Sequence, residues 1–536
     1  MSEVHDHIIV GSGCTGAMAA QTLAESGARV LMLDAGIRDD RYKNRFPGKD
    51  FIRIRKEEPR QHEFFLGLDF EGLPLQKIGT GAQLTPQRKF MMARTDEWLP
   101  VLSENFFPME SLAYGGLGNG WGLGCCVFSD EEMKEAGLDS GEMHRAYQVV
   151  SDRIGISGSY DDTKAYTCGT LQGIMDPVSL DRNGRELFMK YERGKAFLNK
   201  SGFFMGRPAL ALLTADRDGR RKYAYRDLDF YSDDEESAYR PSLTVNALKK
   251  RNNFRYEAGR LVHSFSEKDG ETEVRVINMQ TGQQELFRCR KLVLAAGVLS
   301  TARVVLRSFS AYDHPLPVLS NYYCYVPCIQ PALMGVADEG MKFGYAQAAL
   351  FHDEKDKSGI AMASLYSYRS LMMMRLVQQV PLEFGTAREF LRYLMPALMI
   401  AGIHFPERNG PGKRLTLKKD AASLSADVLS AEYLYSGEEK RDIAVREKKY
   451  LRALRKLGCW PIRRIDPGNG SSIHYAGTLP FSRKEKSFSL SPDGRLHGTR
   501  SVFIADGSGF SYLPAKGLTF SLMANAHNVA LRVLKE

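Results

Sequence analysis

Residues 7–36, HIIVGSGCTGAMAAQTLAESGARVLMLDAG, constrain the fold more than any other stretch of this chain. An apolar run, a glycine turn, an alanine-rich helical pattern, a second apolar run and an acidic residue follow one another. That order predicts a strand, turn, helix and second strand. Gly11, Gly13 and Gly16 stand at the G-x-G-x-x-G spacing, and Asp34 closes the second apolar run. Gly11 permits the turn, Gly13 lets backbone N–H groups approach a pyrophosphate, and Gly16 lets the helix pack close to the strand. The Asp34 carboxylate would accept hydrogen bonds from a ribose diol. The stretch therefore reads as a dinucleotide site, with NAD and FAD equally allowed.

A length of 536 residues exceeds one ordinary core, so two or more lobes are expected. A 43% hydrophobic and 26% charged composition is that of a soluble globular chain. The eight cysteines have no C-x-x-C pairing and no metal-ligand spacing, which suggests free thiols, no metal and a reducing compartment. The start, MSEVHD, is acidic and has no apolar stretch before the first strand, so a cytoplasmic location is expected. No run reaches the 18 apolar residues of a membrane span. Residues 394–405, LMPALMIAGIHF, come nearest and read as a buried helix or pocket wall. The net charge of +9 is modest, and the basic runs at 249–251 and 448–456 lack a nucleic-acid motif, so no nucleic-acid partner is expected.

Further along, residues 113–126, AYGGLGNGWGLGCC, hold six glycines with Asn119 and Trp121. So many glycines would weaken a helix or strand; they suit a backbone that approaches a ligand closely. Helical patterns cover much of 130–202. From 242 to 297 short alternating strands are predicted, with turns at 268–270 and 281–282. They end in KLVLAAG, residues 291–297, which with the VLSTARVVLRS that follows makes a second strand–turn–helix unit. Residues 311–460 are the least legible, with an aromatic run, NYYCYVPC, and methionines at 372–374 that core packing explains adequately. The tail carries a histidine in SSIHYAGT, a strand in RSVFIADGS and a closing helix over about 518–534.

With these pieces in place, the chain resembles the glucose-methanol-choline (GMC) oxidoreductase superfamily, flavoenzymes that oxidise alcohols. The likeness lies in four separated stretches: 7–36, the glycine loop 114–124, the LAAG unit within 291–308, and 474–526. The loop GGLGNGWG departs from the common family form and is more similar to a subgroup acting on sugars or glycosides, of the pyranose-oxidase kind. The resemblance implies an α/β fold (α+β overall). A Rossmann-like FAD-binding domain of the GMC and glutathione-reductase type would be formed by 1–40, 105–160, 241–310 and 465–536. A discontinuous substrate domain on an antiparallel sheet and helices would take 41–104, 161–240 and 311–464. It further implies that FAD is contacted by Gly11, Gly13, Cys14, Thr15, Gly16, Asp34 and Ala35, and by Gly116, Asn119 and Gly120 of the loop. Val262, Ala296, Gly297, Asp506, Gly507, Leu518 and Thr519 would complete the set, with the helix opening near Leu518 aimed at the flavin.

Alcohol oxidation of this kind needs a base for the hydroxyl proton and a hydride acceptor. His474 is the candidate base, because H-Y-A-G-T matches the family's H-x-x-G-T motif and an imidazole is largely neutral near pH 7. The family's second catalytic position, a His or Asn before the last helix, falls here on Ala515 or Lys516; Lys516 is the candidate to hold the hydroxyl or to place charge beside the cofactor. No histidine occurs in 114–126, so FAD is expected without a covalent link, although Cys125 and Cys126 keep a thioether open. A sugar, glycoside or cyclitol is the favoured substrate, with Tyr322, Tyr323 and Tyr325 as stacking surfaces. A bulky apolar alcohol is the rival, supported by methionines 372–374 and by 394–405. A pyridine-nucleotide-dependent flavoprotein would need a second glycine fingerprint or a C-x-x-C, and neither is present. Oxygen and a redox partner both remain open as electron acceptor.

Overall fold

The first strand, Val4–Val10, lies at the middle of a seven-stranded sheet. On one side it pairs in parallel with Val30–Leu33, which pairs in parallel with Phe254–Glu257. On the other it pairs in parallel with Gln284–Leu294, whose far edge receives Val502–Ile504, also in parallel. Ile8, Ile9, Leu31, Met32, Leu292 and Val293 are buried, as expected of parallel strands covered on both faces. Gln284–Leu294 is long enough to serve two partners. Its first half closes an antiparallel meander with Arg260–Lys268 and Glu271–Asn278, and its second half belongs to the parallel core. The computed structural model describes residues 3–43, 45–73, 84–232, 235–336, 342–356, 359–367 and 381–536.

Register sets the site. Val10 lies opposite Leu294, and Leu294 opposite Ile504, so three chain segments leave the sheet at one edge. Two turn into helices there, Cys14–Glu25 and Val298–Ser308; the third leads on to Thr519–Val533. Cys14–Glu25 and Ser140–Ile154 both pack against Thr519–Val533: Thr22 Oγ1 lies 2.8 Å from His527 Nδ1, Tyr147 Oη lies 2.6 Å from Ser521 Oγ, and the Tyr147 and Phe520 rings stack at 4.9 Å.

A second, six-stranded antiparallel sheet is drawn from Phe203–Gly206, Tyr323–Ile329, Ala348–His352, Ala361–Ser367, Leu398–His404 and Trp460–Pro461. The apolar run at 394–405 is therefore mostly strand. Of the two readings, buried helix or pocket wall, the helix does not hold because both faces of this strand are covered, which removes the alternation that marks a half-buried strand, whereas Ile400 and His404 of the same run do line a cavity. The methionines at 372–374 lie outside the described residues. Among the described residues no helix is long and apolar enough to cross a membrane, and no group of side chains could hold a metal ion.

Helix Val298–Ser308 is tied to the neighbouring four-stranded sheet by a buried ion pair. Arg307 donates Nε to Asp427 Oδ2 at 2.6 Å and a terminal nitrogen to Oδ1 at 2.7 Å. Removing one member of such a pair leaves an uncompensated buried charge. Asp427→Ala is expected to lower unfolding stability by roughly 3–5 kcal/mol, read from urea unfolding followed by tryptophan fluorescence. A loss below about 1 kcal/mol would mean that the pair is solvated.

Candidate active site

A cavity of about 620 Å³ extends from the first glycine turn to His474, within the usual range for a small-molecule or cofactor site. At Gly11 the backbone has φ +96°, and a Cβ there would lie 2.7 Å from the Ala295 carbonyl oxygen. A Cβ on Gly16 would lie 1.9 Å from the Gly11 carbonyl oxygen, so Gly16 is needed for the helix to sit against the strand. Gly16 does not border the cavity, which corrects its assignment as a cofactor contact. Gly13, Cys14 and Thr15 do border it, and a Cβ on Gly13 would meet nothing within 4 Å.

Three helices open onto this cavity. Cys14–Glu25 begins after Gly13, Val298–Ser308 after Gly297 and Thr519–Val533 after Leu518; none has a side-chain cap or an acidic residue in its first turn. Gly13, Gly297 and Leu518 all border the cavity, as do Ala296 and Thr519. The first N–H groups of a helix have no partner within it, and the helix dipole favours negative charge at that end. Three such ends around one space form a cradle for an anionic group, of the kind a dinucleotide pyrophosphate presents. The residues present fit that group.

Asp34 lies at the cavity wall, beside Ala35 and near Val262. Its Oδ2 accepts from Ser12 Oγ at 2.5 Å and from the Tyr256 hydroxyl at 2.9 Å, and its Oδ1 takes a longer bond, 3.3 Å, from Ser12 N. Burial raises its pKa, and these donors work against the rise. Oδ1 is the oxygen with capacity left for a ribose hydroxyl. Ser12 Oγ also accepts from Gly115 N at 2.8 Å, so one hydroxyl joins the first motif to the glycine loop. Ser12 carries no signal in the sequence, because the G-x-G pattern specifies only Gly11 and Gly13 on either side of it. Within the loop Gly116 and Gly120 border the cavity, whereas Asn119 does not. The Asn119 amide donates to the Tyr114 and Gly116 carbonyls at 2.8 and 2.9 Å, so it clasps the loop rather than a ligand.

Asp506 and Gly507 border the same space. Both Asp506 oxygens are already used: Oδ1 accepts from Ser508 N and Oγ, and Oδ2 accepts from Thr301 Oγ1 at 2.6 Å. Its main work is to fasten the 506–509 turn to helix Val298–Ser308.

At the other end His474 faces the cavity. Its Nδ1 lies 3.0 Å from Asn321 Oδ1. Asn321 is buried, and its amide nitrogen donates to the carbonyls of Phe405 (2.8 Å), Leu513 (3.3 Å) and Pro514 (3.1 Å). With three carbonyls around the nitrogen, the amide oxygen must be the atom facing the histidine, and an amide oxygen only accepts. The network thus assigns the proton to Nδ1 and leaves Nε2 as the basic nitrogen. Burial lowers the His474 pKa to about 4. Asn321 gave no signal in the sequence, since its part depends on carbonyls far along the chain.

The antiparallel sheet forms the adjoining wall. Tyr323 and Tyr325 border the cavity with His404, Met362, Ser364 and Ile400. Tyr322 does not: strand alternation sends it to the other face, where its hydroxyl donates to Asp466 at 2.9 Å and its ring meets Phe405. The assignment of Tyr322 to substrate is corrected accordingly. His404 lies beside His474, ring centroids 5.3 Å apart and planes 25° apart, and against Tyr323 at 4.4 Å.

Lys516 is turned away from the cavity, which its neighbours Ala515 and Gly517 border. Its Nζ is fully buried, 2.7 Å from Glu132 Oε2 and 3.1 Å from the Val127 carbonyl. A lysine ammonium held by a buried carboxylate is structural, and this corrects the catalytic assignment of Lys516.

Comparison with solved structures finds the same fold in the crystal structure of pyridoxine 4-oxidase from Mesorbium loti. The match covers 99% of each chain, with a TM-score of 0.58 and 14% sequence identity. At that identity the likeness shows the fold alone. No protein-family model matches the sequence, and no curated protein matches it.

Glu132 also accepts from Ser129 N as the capping-box residue of helix Asp130–Ala136. Lys516→Met is therefore expected to cost roughly 3–5 kcal/mol by stranding the carboxylate. Adding Glu132→Gln, which keeps a capping acceptor without the charge, should recover most of that loss in thermal unfolding. A Lys516→Met protein as stable as the wild type would undo this placement.

Proposed function

We propose that the protein is an FAD-dependent oxidoreductase that oxidises a CH–OH group of a sugar, glycoside or cyclitol to a carbonyl. The observation that carries the reading is the continuity of one cavity, from three uncapped helix N-termini to a histidine whose proton is fixed on the far nitrogen. FAD, when bound, supplies the hydride acceptor. Gly13, Cys14, Thr15, Gly297 and Leu518 would hold its charged centre, Asp34 its ribose, and Val262 and Ala296 the adjoining wall. The proposal keeps the two-part division of the chain stated from its sequence.

His474 Nε2 takes the hydroxyl proton. The imidazolium that forms keeps its Nδ1–H on Asn321, so the ring does not have to turn as it charges. Tyr323 and Tyr325, 6.2 Å apart and inclined by 32°, border the cavity with rings on which a polyhydroxylated substrate would stack. Met362 and Ile400 in the same wall favour the second reading, a bulky apolar alcohol. We propose non-covalent binding: the loop carries no histidine, Cys125 does not border the cavity, and Cys126, which does border it, lies with Sγ 3.9 Å from Met362 Sδ and is kept a thiol by burial, which pushes its pKa up to about 11. Oxygen or a redox partner accepts the electrons.

The test is anaerobic mixing of the purified yellow protein with sugars, glycosides, cyclitols, apolar alcohols and pyridoxine, the compound in the structural neighbour's name. Loss of the oxidised-flavin absorbance identifies the class, and no bleaching by any alcohol refutes the reading. Acid precipitation should leave the colour in the supernatant; a yellow pellet would show a covalent link. His474→Ala is expected to slow reduction by about 10²–10⁴-fold. With a pKa near 4 the imidazole stays neutral as the pH drops through the ordinary histidine value of about 6.5. The reduction rate should therefore hold level from about pH 8 downward and decline only toward about pH 4. A midpoint at 6.5 would mean that His474 is solvated or is not the base.

A further inference from the structure

Just before the last helix, the C-terminal segment gives the cavity no imidazole, amide or charged side chain to stand beside His474. Ala515 borders it with a methyl group, and Lys516 is committed to Glu132. The antiparallel sheet does give one. His404 ends strand Leu398–His404, in register with Tyr323 on one side and Met362 on the other, and all three side chains border the cavity. Among the described residues neither ring nitrogen of His404 has a hydrogen-bond partner, whereas His474 is held through Nδ1. An imidazole stacked on two rings and bonded to nothing has both nitrogens available to a ligand.

We propose that His404 is the second catalytic residue of this site, donating a ring N–H to the substrate oxygen while His474 removes that oxygen's proton. The proposal rests on the alcohol-oxidising reading above. In the step, the substrate O–H breaks and its proton joins His474 Nε2, the carbinol hydrogen leaves carbon with the C–H electron pair for the hydride acceptor that FAD would supply, and C=O forms. His404 gains and loses no proton. Its hydrogen bond strengthens as negative charge grows on the oxygen, the condition under which a donor lowers the barrier. The closeness of the rings enforces the division of labour, because two imidazoles 5.3 Å apart do not both charge at small cost. Burial and the neighbouring His474 both hold His404 in its neutral form, which keeps one N–H to donate. Gly402, opposite Tyr325 in the sheet, leaves room for the Tyr323 ring, since a Cβ there would lie 3.1 Å from the Tyr323 hydroxyl oxygen. Tyr323 in turn backs the His404 ring at 4.4 Å.

The experiment uses holoenzyme and the alcohol that bleaches the wild type fastest, with flavin reduction followed anaerobically by stopped flow. His404→Leu is expected to slow the limiting reduction rate by roughly a hundredfold with the half-saturating concentration changed less than about threefold. His404→Gln, which keeps an N–H donor, should recover at least about tenfold of that loss. Both variants should retain wild-type flavin content. Carbethoxylation by diethyl pyrocarbonate, mapped by mass spectrometry, should label His404 in the resting holoenzyme and be suppressed by that alcohol. A Leu variant reducing within threefold of wild type, equal losses in the Leu and Gln variants, or labelling indifferent to the alcohol would each overturn the role of His404 and leave the alcohol-oxidising reading intact. If no alcohol bleaches the wild type, both fall together.

Discussion

The structure depends on a debt of hydrogen bonds. Three helices begin at Gly13, Gly297 and Leu518 without side-chain caps, and all three of those residues border one cavity. A helix end left bare inside a protein is tolerated where a ligand completes it, and an anionic ligand completes it best. Residues almost five hundred positions apart meet there because the parallel register places Val10, Leu294 and Ile504 side by side. Ser12 and Asp506 then pin the turns, one by bridging Asp34 to Gly115 and the other by bridging Thr301 to Ser508. Neither residue needs to touch a ligand to determine where it sits.

The antiparallel sheet brings the chemical wall by a different rule. Side chains alternate across a strand, so Tyr323 and Tyr325 share the cavity face while Tyr322 and Cys324 point to the opposite one. The pairing of Tyr323 with His404, and of His404 with Met362, sets those residues in one row. A slip of one position in Leu398–His404 would exchange His404 for Ile403, which packs in the core behind the sheet. The strand's unbroken apolar character, which hid its conformation in the sequence, secures its register in the fold.

What was legible in the sequence was local. The strand–turn–helix at 7–36 and the unit ending in LAAG carry their chemistry within about thirty residues, and both fold as their patterns predict. His474 stood out through the motif around it. The errors fall where a side chain's role depends on a distant partner. Lys516 looked free because nothing near it announces Glu132 or Val127, and Asn119 looked like a ligand contact because its loop does, although its amide turns back on Tyr114 and Gly116. Asn321 and His404 lay in the stretch with the weakest pattern. Their importance arises only when three carbonyls and a second imidazole are brought to them.

The weak basicity of His474 carries a consequence for the order of events in the proposed reaction. An alcohol ionises near the pKa of water, about 16, so handing its proton to a base with a pKa of about 4 as a separate step would be uphill by about 16 kcal/mol. That is as large as a whole enzymatic barrier for turnover near 10 per second. In the proposed reaction, complete proton transfer as a separate first step is therefore disfavoured. The two transfers are instead coupled: as the C–H electron pair begins to leave, the hydroxyl proton becomes more acidic and passes to His474 within the same barrier, slightly ahead of carbonyl formation, so that the oxygen carries partial negative charge on the way. Burial that makes the imidazole a poor base for an alcohol makes it a sufficient one for the species formed during oxidation, and it keeps His474 neutral and ready across the working pH range. A donor beside it then matters most in the interval when the oxygen has begun to give up its proton but the carbonyl is not yet formed.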